Sequence, residues 1–162
     1  LERAYDDAKY GGWARKPIVS MCMPSLIDDS LAPAGAHVAS LFCQHFNPDL
    51  SEGRSWDDLK EEVADQIIDT ICQYAPNLKT AIIGRSVLSP LDLERDYALP
   101  GGDIFHGALD LDQIFSLRPV AGYADYRAPI QGLYLCGAGA HPGGGVSGAP
   151  GCNAAREVIR DL

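Results

Sequence analysis

No stretch of this chain stays apolar over the roughly 20 residues that a membrane-spanning helix needs, and no cluster of Lys or Arg is present. The first absence excludes a helical membrane span. The second removes the electrostatic footprint of a nucleic-acid reader or of a protein drawn to anionic lipid. The balance is acidic instead, with a formal net charge of −9 and a pI near 4.7. Cysteines are few and unpaired in pattern: Cys22, Cys43, Cys72, Cys136 and Cys152, an odd number without a C-x-x-C spacing. Several sit in apolar runs such as "VSMCMP" and "SLFCQHF". They read as reduced, buried thiols of a cytosol-like compartment rather than a disulfide framework. No His/Cys/Asp set has metal-ligand spacing.

What is there suits one ordinary globular domain. The chain has 162 residues, 46% of them hydrophobic and 22% charged, enough for a real core. It begins at Leu1 without Met and stops soon after "EVI", which leads us to expect a piece of a longer protein. The runs 17–24 ("PIVSMCMP") and 37–46 ("HVASLFCQHF") predict two strands joined as an antiparallel hairpin. Residues 56–74 predict a helix. Ser55 is placed to cap it, with Asp58 as its capping-box partner, and Leu59, Val63, Ile67 and Ile71, with Trp56 and Ile68 beside them, form one apolar stripe facing a core. "TAIIGRSVLS" (80–89) predicts a third strand, and Ser89-Pro90 a helix opening. "GLYLCG" (132–137) predicts a short buried strand. Residues 153–162 predict a closing helix with Ala154, Ala155, Val158, Ile159 and Leu162 on its inner side.

Between that last strand and helix lies "GAGAHPGGGVSG", with six glycines between Gly137 and Gly148. Glycine costs backbone entropy on folding, so a run of them implies close approach or sharp turning. Strand, glycine-rich turn and helix together make an anion site, because the first N–H groups of a helix are unpaired and carry partial positive charge. A phosphate-binding P-loop would need Gly-Lys-Ser/Thr, and this loop has no Lys. A dinucleotide fingerprint would need G-x-G-x-x-G after a first strand. Gly137 and Gly139 fit, but Pro142 stands where the third glycine belongs. Ser147 has no G-x-S-x-G elbow around it, which argues against nucleophilic hydrolysis.

The segment "YRAPIQGLYLCGAGAHPGGGVSGAPGCNAA" resembles the carboxy-terminal flavin-binding segment of phytoene desaturase-type FAD oxidoreductases, a family that includes carotenoid desaturases and isomerases and retinol saturase. "LSPLDLERDYALPGGDIFHGALDLDQIFSLRP" strengthens the likeness, which is closest to the branch with a pyridine nucleotide-disulfide oxidoreductase domain. It is strong over residues 80–155 and weaker before them. The family's amino-terminal G-x-G-x-x-G is not found in this chain.

The resemblance implies an α+β fold: an antiparallel substrate-domain sheet with helices, plus a C-terminal strand–Gly loop–helix belonging to a Rossmann-like FAD domain. Residues 1–130 would be part of the substrate-binding domain and 131–162 the return segment of the FAD domain. The cofactor-binding residues would be Gly137, Ala138, Gly139, His141, Pro142, Gly143, Gly144, Gly145, Val146, Ser147 and Gly148. The partners would be FAD and a hydrophobic, polyene- or isoprenoid-like substrate, with hydride passing between them. Association of identical copies stays open. So does the compartment, cytoplasmic or, by the resemblance, mitochondrial. A module that keeps the fold without cofactor is the other reading. His141, His106 and Arg118 are further candidates near a cofactor or substrate, against turn, buried-histidine and ion-pair roles. His37 and His45 flank a strand, and Asp110 and Asp112 read as solvent-facing or capping groups. No catalytic acid or base is assigned.

Overall fold

The apolar run after Trp13 extends and pairs. In the computed structural model, which describes residues 1–162, strand β1 (Trp13–Cys22) lies antiparallel to β2 (Ser40–Phe46). Ile18 faces Gln44 and Cys22 faces Ser40, with a register shift between Trp13 and Ile18. Pro17 falls in that interval and has no N–H to give the ladder. The chain divides into two compact units, Leu1–Gly102 and Asp103–Leu162. The division expected at residue 130 concerns parentage in a longer protein, a different property from compactness.

The first unit opens with a helix that the sequence pattern did not announce, α1 (Glu2–Ala8). Ala4 and Ala8, one turn apart, are its buried side. The Asp7 carboxylate accepts from the Arg15 backbone N–H at 3.1 Å and from its Nε at 2.9 Å, fixing α1 to β1. Helix α2 (Trp56–Cys72) starts at Ser55, as expected, and the Ser55 hydroxyl accepts from Asp57 N. The capping box with Asp58 is not formed there.

The inward face of α2 lies within the expected apolar face but is rotated toward its Trp56 and Ile68 side. Trp56, Val63, Ala64 and Ile68 are buried, while Leu59, Ile67 and Ile71 are half-buried. Trp56 sets this rotation. It is 3% exposed, its indole N–H donates to Asn47 O at 2.9 Å, and it meets the Trp13 and Phe46 rings at 6.0 Å. Gln66 holds the same rotation by donating to Ala14 O and Arg15 O while accepting from the Trp13 indole.

The strand expected over 80–89 is absent. A short helix, α3 (Leu78–Ala81), takes its start, and the following residues run unpaired with Ile83 almost wholly exposed. A strand exists only through a neighbour that accepts its backbone, and β1 and β2 form a sheet of two. The Ser-Pro opening behaves as expected. Helix α4 (Pro90–Tyr97) has a full capping box between Ser89 and Asp92. It ends on Ala98 in the left-handed region, and Gly102, at φ +67°, packs against its start, where a methyl group would sit 2.4 Å from Pro90 O.

Lys60 of α2 reaches both Asp92 oxygens at 2.9 and 3.0 Å, and Arg95 pairs with Asp57 at 2.9 Å, so two charge pairs tie α2 to α4. Burial pushes the Asp92 carboxyl up. The Ser89 N–H, the Lys60 ammonium and the Ser89 hydroxyl outweigh it and hold the carboxyl at about 2.

The second unit has one α-helix, α5 (Ala149–Asp161), two short 3-10 turns and no strand. The strand expected at 132–137 is reduced to one bridge between Tyr134 and Arg127, flanked by Ala128 N to Leu133 O and Leu135 N to Tyr126 O. No further segment of the chain runs beside it to extend the pairing. The inner side of α5 is corrected too. Ala154 is buried and Val158 half-buried, but Ala155, Ile159 and Leu162 are exposed. Polar residues turn the helix: Asn153, Glu157 and Asp161, at i, i+4 and i+8, reach Tyr126, Arg127 and Tyr134.

At this level the α+β reading stands as a two-stranded antiparallel sheet with helices. The thiols are free but not buried as expected. Cys22, Cys136 and Cys152 are exposed, and Cys43 and Cys72 are intermediate. Cys22 lies on the last rung of the sheet, opposite exposed Ser40. Partial burial pushes the Cys43 thiol up. No helix is long and apolar enough to cross a membrane.

The packing of α2 can be tested at two points. Ile68→Ala is expected to cost about 2–5 kcal/mol through lost transfer energy and a cavity, and Ile67→Ala clearly less, as read by denaturant melting. The other point is Asp92. Its depressed carboxyl contributes stability above the ordinary carboxylate value, and this is lost as pH falls through about 2. The stability gap between the natural chain and Asp92→Asn should be on the order of 2 kcal/mol above about pH 4. It should close toward pH 2 in melts run across that range.

Candidate functional site

The glycine loop rests on a buried arginine. Arg118 is 1% exposed, and its guanidinium donates only to backbone carbonyls. Nη2 meets Ala138 O at 2.7 Å and His106 O at 3.1 Å. Nη1 meets Ala108 O and Gln113 O, both at 3.2 Å, and Nε meets Ala138 O at 3.2 Å. A longer contact reaches Phe105 O. It forms no ion pair, so the ion-pair role considered for it is set aside. The planar fork of five donors can satisfy carbonyls arriving from several directions, which a lysine could not do.

Ala138, second in the loop, is thus held by its own carbonyl. Two turns follow, Ala140 N to Gly137 O at 3.0 Å and Gly143 N to Ala140 O at 2.8 Å. Tyr126, at the buried centre of this unit with Ala140 and Ala154, ties the loop to the helix. Its hydroxyl donates to His141 O at 2.8 Å and accepts from Asn153 Nδ2 at 2.8 Å. The His141 ring positions a neighbouring turn. Its Nδ1 accepts from Phe115 N at 3.1 Å, and the two rings lie 5.1 Å apart.

Beyond Pro142 the backbone turns left-handed repeatedly: Gly143 at φ +98°, Gly145 at +119°, Val146 at +57° and Gly148 at +70°. Val146 is a β-branched residue in that region, which is costly, and its side chain is fully exposed. Gly143 and Gly144 lie against their own unit. Methyl groups there would come within 3.2 Å of Leu109 Cδ2 and 3.0 Å of Phe105 Cδ1. Gly137, Gly139, Gly145 and Gly148 face open space. The N–H groups of Gly144, Gly145, Val146, Ser147 and Gly148 find no acceptor within the chain.

Helix α5 then starts at Gly148 without a side-chain cap, apart from Ala149 N on Ser147 Oγ at 3.3 Å. Free donors followed by the positive end of a 13-residue helix favour an electron-rich ligand.

All eleven loop residues singled out in the sequence therefore belong to one unit. The other candidates are scattered. His106 is exposed at φ +58° and gives only its carbonyl to Arg118. Asp110 and Asp112 are exposed. His37 and His45 belong to the first unit, where His37 meets Ser25 Oγ at 3.3 Å and His45 lies edge-on to Tyr5. Sequence reasoning missed Tyr126, Arg127 and Asn153. Arg127 pairs with Asp161, Glu157 and Asp125, and these carboxylates hold its guanidinium charged. Arg127 and the Tyr134 hydroxyl in turn hold Asp161 at about 2.

No family model matches the chain. Over its whole length it is 53% identical to "Pyridine nucleotide-disulfide oxidoreductase domain-containing protein 2" of Rattus norvegicus. The chain belongs to this oxidoreductase family, of the phytoene desaturase type. More distant relatives agree. A Staphylococcus aureus "4,4'-diapophytoene desaturase (4,4'-diaponeurosporene-forming)" is 30% identical over 84% of the chain. "Phytoene desaturase (lycopene-forming)" of Pseudescherichia vulneris is 30% identical over 77%. The chain spans 28%, 27% and 25% of the lengths of these relatives of the family.

Tyr126→Phe would leave His141 O and Asn153 Nδ2 without their buried partner. It should destabilise the chain by about 1–3 kcal/mol, measured by denaturant melting beside the natural chain.

Proposed function

We propose that this chain is a carboxy-terminal portion of an FAD-dependent oxidoreductase whose glycine loop, residues 137–148, cradles the flavin. The observation that carries the reading is the run of five backbone N–H groups, Gly144 to Gly148, that have no acceptor in the chain and lead directly into α5. The residues fit such a group. Gly137 and Gly139 leave open the space that side chains would fill. The left-handed turns at Gly145 and Gly148 present backbone without side chains to a flat ligand.

The flavin, when bound, accepts or returns a hydride. This chain's residues hold and orient it. The free N–H groups and the start of α5 offer positive potential to its electron-rich edge. Arg118 and Tyr126 keep the loop in shape from below and beside it.

In the whole protein, residues 131–162 would complete a Rossmann-like FAD domain and residues 1–130 would contribute to the substrate-binding domain. A hydrophobic, polyene- or isoprenoid-like substrate is supported by the phytoene and diapophytoene desaturases among the relatives. The exposed apolar side chains of the second unit, among them Leu111, Phe115, Ile130 and Val146, would meet the rest of that protein or its substrate. Five free thiols fit a reducing compartment.

The test uses Gly139. Its backbone is not left-handed and nothing lies within 4 Å of an added methyl group, so the fold should accept a side chain there. Gly139→Val in the full-length protein should melt within about 0.5 kcal/mol of the natural protein yet lose most of its bound flavin. Flavin occupancy and thermal unfolding are read on the same samples. Full occupancy in a folded Gly139→Val protein would remove this part of the loop from the cofactor site.

A further inference from the structure

Arg118 is a monovalent cation sealed inside the second unit and neutralised by nothing. Its five N–H donors all end on carbonyl oxygens, whose dipoles solvate the charge but carry none of their own. Asp103, Asp110 and Asp112 lie in the same stretch, and none of them pairs with it. The Asp103 oxygens are taken by Phe105 N and Gly107 N, and Asp110 and Asp112 are exposed to water.

The charge sits directly under the loop. A methyl group added at Gly143 would lie 3.7 Å from Arg118 Nε and 3.8 Å from its Cζ. A cation fixed in low dielectric acts further and more strongly than one on the surface, and it needs no reorganisation when negative charge arrives.

Resting on the flavin reading above, we infer that Arg118 is a positioning residue with an electrical function as well. Its unpaired charge beneath Gly143 favours the more negative, reduced state of the cofactor lying on residues 143–148. Arginine suits this role because its charge is permanent at every physiological pH. No neutral side chain carries five N–H donors, so the fork that braces these carbonyls brings a net charge with it.

The experiment measures the flavin equilibrium against a reference dye in the full-length protein. Arg118→Met should move it at least about tenfold toward the oxidised cofactor, which for a two-electron couple is about 30 mV. Arg118→Lys keeps the charge without the fork, so it should lose flavin and stability, while the flavin it retains stays within a few-fold of the natural equilibrium. A residue that only braces predicts otherwise: both Arg118 variants would lose flavin and thermal stability, and the flavin they retain would be poised as before.

Should Arg118→Met fail to fold, Leu109 gives a second reading. Its Cδ2 lies 3.2 Å from the same point under Gly143, and it is half exposed. Leu109→Glu sets an opposite charge beside the guanidinium and should shift the equilibrium toward the oxidised cofactor. Leu109→Gln should not. An unchanged equilibrium in flavin-loaded Arg118→Met or Leu109→Glu overturns the inference. A natural protein that binds no flavin overturns the flavin reading instead.

Discussion

A single buried guanidinium organises the second unit. Burying a charge without a counter-ion is among the costliest acts in folding. Here Arg118 avoids that penalty by collecting carbonyls from residues 105, 106, 108, 113 and 138. Those residues lie in segments with little regular structure, and 3-10 turns at Leu111–Gln113 and Phe115–Leu117 are the only helical features among them. The arginine stands in for the sheet that would ordinarily satisfy such a backbone. Every loop that touches it inherits its position, the first turn of the glycine loop included.

The first unit solves the same problem with conventional means. Trp56 fills the space between α2, Trp13 and Phe46, and Gln66 stitches the helix to the backbone of β1. The charge pairs from α2 to α4 rest on a buried capping box, so one carboxylate, Asp92, serves a helix start and a tertiary contact together. Such shared use couples the ordering of α4 to that of α2.

Much of this was legible in the residues. The hairpin, the long helix after Ser55, the Ser-Pro start of α4 and the helix after Gly148 all follow from patterning and cap chemistry. The strands expected at 80–89 and 132–137 fail for one reason. Apolar β-prone residues announce a strand, but only a neighbouring backbone makes one, and no sequence window contains its neighbour. The apolar face of α2 was legible with Trp56 and Ile68 in it, but hydrophobicity alone does not tell that these two are buried more deeply than Ile67 and Ile71. Tyr126, Arg127 and Asn153 escaped because they look like ordinary loop and helix-surface residues. Apart from Asp125 beside Arg127, their partners are 15 to 34 positions away in sequence. The glycine loop was visible as an anion-favouring turn, while the arginine beneath it was seen only as one candidate among several.

The orientation of α5 has a practical meaning. Asn153, Glu157 and Asp161 face inward to Tyr126, Arg127 and Tyr134, so Ala155, Ile159 and Leu162 point outward. This amphipathic helix wears its lining on the outside. Ala155, Ile159 and Leu162 thus form a strip that contributes little to holding the unit together and is a face left for whatever lies beside this unit in a longer protein. Polar residues on that strip would leave the contacts within the unit in place, whereas adding charge to the opposite face would disturb the pairs that hold the helix.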